Sequence, residues 1–253
     1  MARITTVLNQ KGGVGKTTTA HALATGLNHR GYNALVVDAD PQGNISYTMQ
    51  ADPAQAGLYE AMKGIIPAAD AIQHAPGGDL ISSSIDLAGA DMEFTQTGRE
   101  YLLREMLDAI SADYTHVIID SPPSLGIMTV NALTASTDIV IPVGAEIYAL
   151  QGLQQLLNTI SKVKKYSNPA LQIAGLLITR RGNNAVATRQ LIEAIEKQAE
   201  ALQLNLYGAV IREAVAIREA QIMQGSIFDT HPRAKVTDDY NAFIGEYIKQ
   251  GGI

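Results

Sequence analysis

The sequence predicts a single α/β domain, a largely parallel β-sheet with helices packed on both of its faces. Three observations predict it. Short apolar runs alternate with longer helical patterns along the chain. Several of those runs are rich in Val and Ile with no polar alternation, as strands buried on both faces require. The repeated strand–helix–strand order demands right-handed crossovers, which lay helices over both sides of the sheet.

With 253 residues, of which 46% are hydrophobic and 17% charged, the chain is long enough for one substantial core and too apolar for disorder. No repeat, low-complexity tract or linker divides it, so one domain over residues 1–253 is expected.

In order, the reading begins with a strand at 4–8 and a helix at 16–30, then a strand at 34–38. Residues 51–78 carry Pro53, Pro67, Pro76 and the pair Gly77-Gly78. They read as short helices and loops inserted at one end of the sheet. Further strands are expected at 80–83, 117–120, 138–143, 173–178 and 207–211. Between and after them lie helices at 100–112, 127–135, 150–165, 188–202 and 237–249. The apolar run at 4–8 is too short for a signal segment, and no stretch approaches the roughly 20 apolar residues of a membrane span. A cytoplasmic protein without membrane attachment is the expectation.

The sharpest signal is Gln10-Lys11-Gly12-Gly13-Val14-Gly15-Lys16-Thr17-Thr18. It follows the first strand and opens a helix, the context in which a glycine-rich loop cradles phosphate. Glycines let several backbone N–H groups converge on phosphate oxygens, and the positive end of the helix adds to the attraction. Lys16 is placed to reach the β- and γ-phosphates, and the Thr17 hydroxyl to ligate Mg²⁺. Gly12, Gly13, Val14, Gly15 and Thr18 complete the expected ATP-binding loop. The standard spacing puts a glycine where Gln10 stands, and here a second lysine, Lys11, leads the loop instead.

Two acidic sites accompany it. The second strand ends in Asp38-Ala39-Asp40-Pro41-Gln42-Gly43-Asn44, at the carboxyl edge where open parallel sheets gather ligands. Asp40 is a candidate to accept a hydrogen bond from an attacking water or to help hold Mg²⁺. Asp38 reads equally as a strand-end turn residue or a site residue. The run Val117-Ile118-Ile119-Asp120 ends in a carboxylate of the kind that orients Mg²⁺ in phosphoryl-transfer sites.

Taken together, Lys11-Gly12-Gly13-Val14-Gly15-Lys16-Thr17, the 38–44 segment and Asp120-Ser121-Pro122-Pro123 resemble the deviant Walker A ATPases of the ParA/MinD family. Segments 85–90, 131–136 and 141–143 resemble that family in matching order, so the likeness spans most of residues 1–215. The resemblance implies a P-loop fold and an ATP-closed homodimer in which Lys11 reaches the partner's nucleotide. It also implies slow basal ATP hydrolysis with Lys11, Lys16 and Asp40 as catalytic residues and Thr17, Asp40 and Asp120 around Mg²⁺. The family's adenine-proximal prolines are replaced in 211–221, and Thr179 and Arg180 are the next candidates for the base.

Within that family, iron–sulfur and arsenite relatives depend on cysteine, and this chain has none. MinD-like members use a basic amphipathic tail on membranes. Here Phe243, Ile244, Tyr247 and Ile248 form an apolar stripe whose polar side is acidic, which suits core packing. Partitioning ATPases of the ParA/Soj type remain, segregating plasmid or chromosomal DNA on the nucleoid with a ParB-like, centromere-binding partner that stimulates hydrolysis. No extension precedes the first strand, so the N-terminal helix-turn-helix of larger relatives is not expected.

The net charge of −6 does not advertise a nucleic-acid binder, but non-specific DNA binding needs only a few cations on one face. Candidates are Lys162, Lys164, Lys165, Arg189, Arg212 and Arg218. The three lysines also suit a helix end compensating its dipole. Two other readings use the same loop: a positioning ATPase for a protein cargo, and a small-molecule ligase or kinase.

Overall fold

The Val/Ile runs do pair side by side. The computed structural model describes residues 2–145, 152–182 and 185–251. In chain order the strands are β1 (Arg3–Val7), β2 (Ala34–Asp38), β3 (Ile72–Ala75), β4 (Gly78–Ile81), β5 (His116–Asp120), β6 (Asp138–Gly144), β7 (Gln172–Arg181) and β8 (Leu206–Arg212). Among the described residues they form one eight-stranded sheet in the order β3-β4-β2-β5-β1-β6-β7-β8. Every neighbouring pair is parallel except β3 with β4.

The helices are α1 (Lys16–Asn28), α2 (Asn44–Thr48), α3 (Leu58–Met62), α4 (Ala90–Glu93), α5 (Leu102–Asp108) and α6 (Ile127–Ala135), followed by α7 (Leu153–Tyr166), α8 (Ala185–Ala201), α9 (Val215–Ile222), α10 (Ile227–Thr230) and α11 (Lys235–Gln250). Strand periodicity explains how both faces are covered. Val117 and Ile119 point into the cluster beneath α5 and α6, while Ile118 points into the one beneath α1 and α11. All three are wholly buried. That is why β5 carries no polar alternation, and why truncating Ile118 to Ala is expected to cost about 2–5 kcal/mol.

Four details differ from the sequence expectation. β3 was not foreseen, because its Ile-Gln-His-Ala run has no strand-like apolar pattern. It is held by antiparallel backbone pairing to β4 across Pro76-Gly77. The helix expected at 100–112 is shorter, α5 flanked by 3₁₀ turns at Arg99–Tyr101 and Ser111–Asp113. Helices α9 and α10 fall in a stretch to which the sequence reading assigned no element. The helix expected at 150–165 begins at Leu153, and residues 150–151 lie outside the described residues.

The apolar stripe of the last helix packs onto the sheet, as its acidic polar side suggested. Phe243, Ile244 and Tyr247 are wholly buried. The Tyr247 hydroxyl meets the Thr5 hydroxyl at 2.6 Å, and Thr5 donates to Asp138 at 2.7 Å. Arg3 completes the knot. It donates to Asp138 Oδ2 at 2.7 Å and to the Tyr247 carbonyl at 2.8 Å, with its guanidinium 3.8 Å from the Tyr247 ring centre. Among the described residues no helix is long and apolar enough to cross a membrane.

Candidate functional site

The carboxyl ends of β1, β2 and β5 meet at one edge of the sheet, because Val7 pairs with Asp120 and Asp38 pairs with Asp120 in register. The glycine loop leaves β1 there and turns into α1. Gly13 and Gly15 adopt φ of 75° and 85°, left-handed values that a side chain resists. Gly15 sits at the N-cap with no side chain to satisfy the first N–H groups, and no acidic residue stands in the first turn of α1. Those donors are therefore left for an anion.

Neighbouring elements pin the loop. Asn9 donates to the Pro142 carbonyl at 2.6 Å and accepts from the Lys11 N–H at 3.0 Å. The Thr179 hydroxyl donates to the Val14 carbonyl at 2.8 Å, and Arg180 donates to the Gly13 carbonyl at 2.8 Å. Arg180 itself has φ 55°, a strained value for a residue with a Cβ. Thr179 and Arg180 thus hold the loop's backbone. They also line a cavity of about 200 Å³ next to Gly13, Gly15 and Thr18, whose other walls include Ala214, Ile217, Gln221 and Tyr240. Ala214, Ile217 and Gln221 belong to the 211–221 segment where the family's prolines are replaced, while Tyr240 was not singled out, since it reads as a core residue of the last helix.

Lys16 is buried, its Nζ 3.4 Å from the Lys11 carbonyl. Burial lowers its pKa, against the pull of Asp120 and Asp40. Lys11 is half-buried at the front of the loop. A second, open cleft of about 670 Å³ is lined by Gly12, Gly13, Gly15, Lys16, Thr17 and Thr18, with Asp40, Asn44 and Pro123 opposite. The structure therefore brings together the loop and Asp40, with Asp120 buried behind them.

The three aspartates differ sharply in surroundings. Asp38 is wholly buried and fully used. Its Oδ2 accepts from the Ser46 N–H at 3.0 Å and hydroxyl at 2.6 Å, and its Oδ1 accepts from the Asp40 N–H at 3.2 Å. Burial nonetheless raises its pKa to about 6. Asp38 is thus the internal brace of the turn that carries Asp40. Asp40 accepts from the Gln42 N–H at 3.0 Å, and its carbonyl accepts from the Ser83 hydroxyl at 2.6 Å.

Asp120 is wholly buried, and neither carboxylate oxygen has a hydrogen-bond partner. Burial, then the Asp38 charge, push its pKa well upward. The neighbouring Thr17 hydroxyl and Lys16 ammonium act the other way. A buried carboxylate with no partner is costly unless a cation or donor completes it. A hard oxygen donor set of this kind fits Mg²⁺, which takes few protein ligands and fills its sphere with water and phosphate oxygens. No cluster of three or more His, Cys, Asp or Glu occurs among the described residues.

The basic candidates do not form one patch. Lys162, Lys164 and Lys165 are exposed at the C-terminal end of α7. Lys164 and Lys165 line a groove with Ile173 at the start of β7, the opposite edge of the sheet from the cleft. Arg189 is exposed on α8. Arg218 is exposed on α9 and lines the cleft. Arg212 is engaged within the chain. Its guanidinium is committed to Asp239 through two bonds of 2.6 and 2.7 Å, with its own N–H donating to the same carboxylate at 3.0 Å. A fork already engaged this way has little left for a phosphate.

Comparison with known proteins places this geometry in context. A family model described as an AAA domain matches residues 2–173. The chain is 42% identical over 226 residues to the chromosome partitioning protein ParA of Caulobacter vibrioides, covering 86% of this chain and 83% of that protein. It is 39% identical over 257 residues to the sporulation initiation inhibitor protein Soj of Bacillus subtilis, covering 99% and 100%. Among solved structures, it is similar to a cobyrinic acid a,c-diamide synthase from Mycobacterium smegmatis with bound ADP and magnesium. That structure has a TM-score of 0.87 and 31% identity, over 100% of this chain and 96% of that one.

Proposed function

The chain belongs to the ParA family of partitioning ATPases, and from that premise we propose that it is a nucleotide-switched dimer that moves DNA. In this reading ATP and Mg²⁺ close two copies around the phosphate loops, the closed dimer binds DNA without sequence preference, and hydrolysis reopens it. A ParB-like partner on the cargo stimulates the slow basal reaction.

The observation that carries the proposal is Asp120, a carboxylate buried behind Thr17 and Lys16 with both oxygens unpartnered. Thr17, with Asp120 directly or through water, would hold Mg²⁺, which supplies charge neutralisation on the β- and γ-phosphates. Lys16, partly desolvated, contributes a cation to the same oxygens at low dielectric. The open first turn of α1 offers its N–H groups. Asp40, aimed by the Gln42 N–H and steadied by Ser83, accepts a hydrogen bond from the attacking water. Lys11 supplies the cation that arrives only with the second copy, which makes turnover slow before dimers form.

The likeness to a cobyrinic acid a,c-diamide synthase brings a small-molecule ligase into view as an alternative. Higher identity to the two partitioning relatives supports the DNA switch over it.

The test is DNA binding by the purified protein with ATP, with ADP and without nucleotide, over several salt concentrations, beside a Lys16→Ala control. The expected result is ATP-dependent, salt-sensitive binding to arbitrary duplex that the control lacks. Dimerisation with ATP but no DNA binding would replace the DNA cargo with a protein one. Fast hydrolysis by a monomer would overturn the switch altogether.

A further inference from the structure

Segment 84–93 follows Ser83, and none of its side chains enters the chemistry above. It begins where β4 ends, beside β2, and finishes against α6, the helix that follows β5. It therefore runs past both strands that deliver the site's aspartates.

Both ends of this segment are bonded to the site. At the first end, the Ser83 hydroxyl donates to the Asp40 carbonyl at 2.6 Å, and the Ser83 N–H donates at 3.0 Å to the Ser46 hydroxyl that holds Asp38. At the far end, Asp91 Oδ1 accepts from the Ile127 N–H at 2.6 Å, an orphan donor of the first turn of α6. Gly126, the N-cap of α6, has no side chain that could do this. A Cβ at Gly126 would stand 2.5 Å from Asp91 Oδ2, so the glycine leaves the room that the carboxylate fills. The Asp91 charge also faces the positive end of α6.

The loop that Asp91 closes is the one that leaves Asp120. Residues 121–126 are held at two further points. The Ser121 hydroxyl donates to the Val7 carbonyl at 2.8 Å, and the Thr129 hydroxyl donates to the Ser124 carbonyl at 2.5 Å. Pro123, between them, lines the phosphate cleft. The bridge from Ser83 to Asp91 is firmly seated. Leu87, Ala90 and Phe94 are buried in one core cluster with Ile127, Met128 and Ala132 of α6. A single anchored segment thus grips the Asp40 turn at one end and the Asp120 loop at the other.

We propose that Asp91 is a positioning residue for ATP hydrolysis: it fixes the loop after Asp120 and, through segment 83–91, sets that loop against the turn that carries Asp40. The proposal rests on the ATPase reading above and deepens it. In-line attack on a phosphate needs the water-orienting carboxylate and the metal-facing one in a fixed relation. The two come from different strands, and the bridge ties their loops together outside the sheet.

The experiment follows phosphate release, affinity for a fluorescent ATP analogue, urea unfolding and amide hydrogen exchange in the wild type and in Asp91→Ala, Asp91→Asn and Gly126→Ala. Asp91→Ala is expected to lower kcat about tenfold with nucleotide affinity unchanged. Asp91→Asn, whose amide oxygen accepts the same N–H, should recover most of that rate. Gly126→Ala pushes the carboxylate aside while leaving Asp91 in the chain, and should reproduce the loss even where Asp91→Ala folds poorly. Exchange in both defective variants should quicken at 121–127 and also at 40–46, the far end of the bridge. Quickening confined to 121–127, or lower stability with the wild-type kcat, would make Asp91 a local helix cap and overturn the proposal. A wild type that hydrolyses no ATP would remove the ATPase reading itself. A wild type that hydrolyses ATP, with Asp91→Ala and Gly126→Ala matching its rate, would overturn the positioning role alone.

Discussion

Asp38 and Asp120 stand opposite each other in the register of β2 and β5, both wholly buried, and the Asp38 charge is second only to burial in pushing the Asp120 carboxyl upward. The two have different uses. Asp38 is satisfied by Ser46 and the Asp40 N–H, whereas neither oxygen of Asp120 is held by a full hydrogen bond and only Thr17 and Lys16 stand near to oppose its burial. One braces the loop, and the other is left to serve a cation. Their closeness makes two charged carboxylates electrostatically unfavourable and a cation beside Asp120 correspondingly stabilising.

Asp120→Asn removes that burden along with the metal-facing charge. The nucleotide-free variant is expected to unfold at or above the wild-type temperature, while the rise given by ATP with magnesium over ATP with EDTA disappears. Hydrolysis should fall by about a hundredfold or more. A variant that keeps its magnesium-dependent rise would show that Asp120 does not serve the metal.

Lys16 and Lys11 should separate cleanly. Lys16→Ala weakens nucleotide binding and abolishes hydrolysis. Lys11→Ala binds ATP but loses about 10³-fold in dimer-dependent hydrolysis, the scale of a cation supplied in trans. Titration with a fluorescent ATP analogue beside a phosphate-release assay distinguishes the two. Equal defects in binding would remove the special role of Lys11.

His116 should make the fold acid-sensitive. It is buried between the rings of Tyr32 and Tyr247 with Nδ1 on the Thr115 hydroxyl, and burial, then the Arg3 charge, depress its pKa to about 4 against the pull of Asp138. His21, also pushed to about 4 by burial against the pull of Asp229, acts alike. Between the unfolded pKa of about 6.5 and the folded one, the unfolded chain binds a proton that the native state refuses. Stability is therefore complete above that window and falls with pH inside it, by up to about 1.4 kcal/mol per pH unit for each histidine. The raised carboxyls of Asp38 and Asp120 act in the opposite sense, so the informative quantity is a difference. His116→Gln should flatten the pH dependence of denaturant midpoints relative to wild type. Parallel curves would contradict the assignment.

The basic residues should also divide. Arg218→Ala is expected to lower the salt slope of ATP-dependent DNA binding by about one. Arg212→Ala, whose fork is spent on Asp239, should leave that slope unchanged and cost about 1 kcal/mol of stability. A changed slope in Arg212→Ala would mean that the ion pair opens on DNA.

The phosphate loop and its strand were legible because each residue there answers a local demand: glycines for left-handed turns, an apolar run for a doubly buried strand, a lysine at the helix start. Asp120 was legible for the same reason. Asp38 was not resolved from sequence, since its role depends on Ser46, eight residues on, folding back over it. Ser83 and Asn9 went unmarked because their partners, the Asp40 and Pro142 carbonyls, are backbone atoms that no motif encodes. The Lys162–Lys165 cluster looked like part of a basic face. Only the direction of β7 shows that it sits at the other edge of the sheet from Arg218. β3 escaped because an edge strand needs backbone pairing more than apolar character.

The knot of Arg3 with Asp138 and Tyr247 joins the third residue of the chain to one 244 positions later. In time, this means that β1 emerges from the ribosome well before the helix that finishes it. A nascent chain can emerge with its phosphate loop complete and still lack the helix that buries Thr5 and covers the lower end of β1. Closure of α11 is then a late, long-range step, slow by the rule that distant contacts form last.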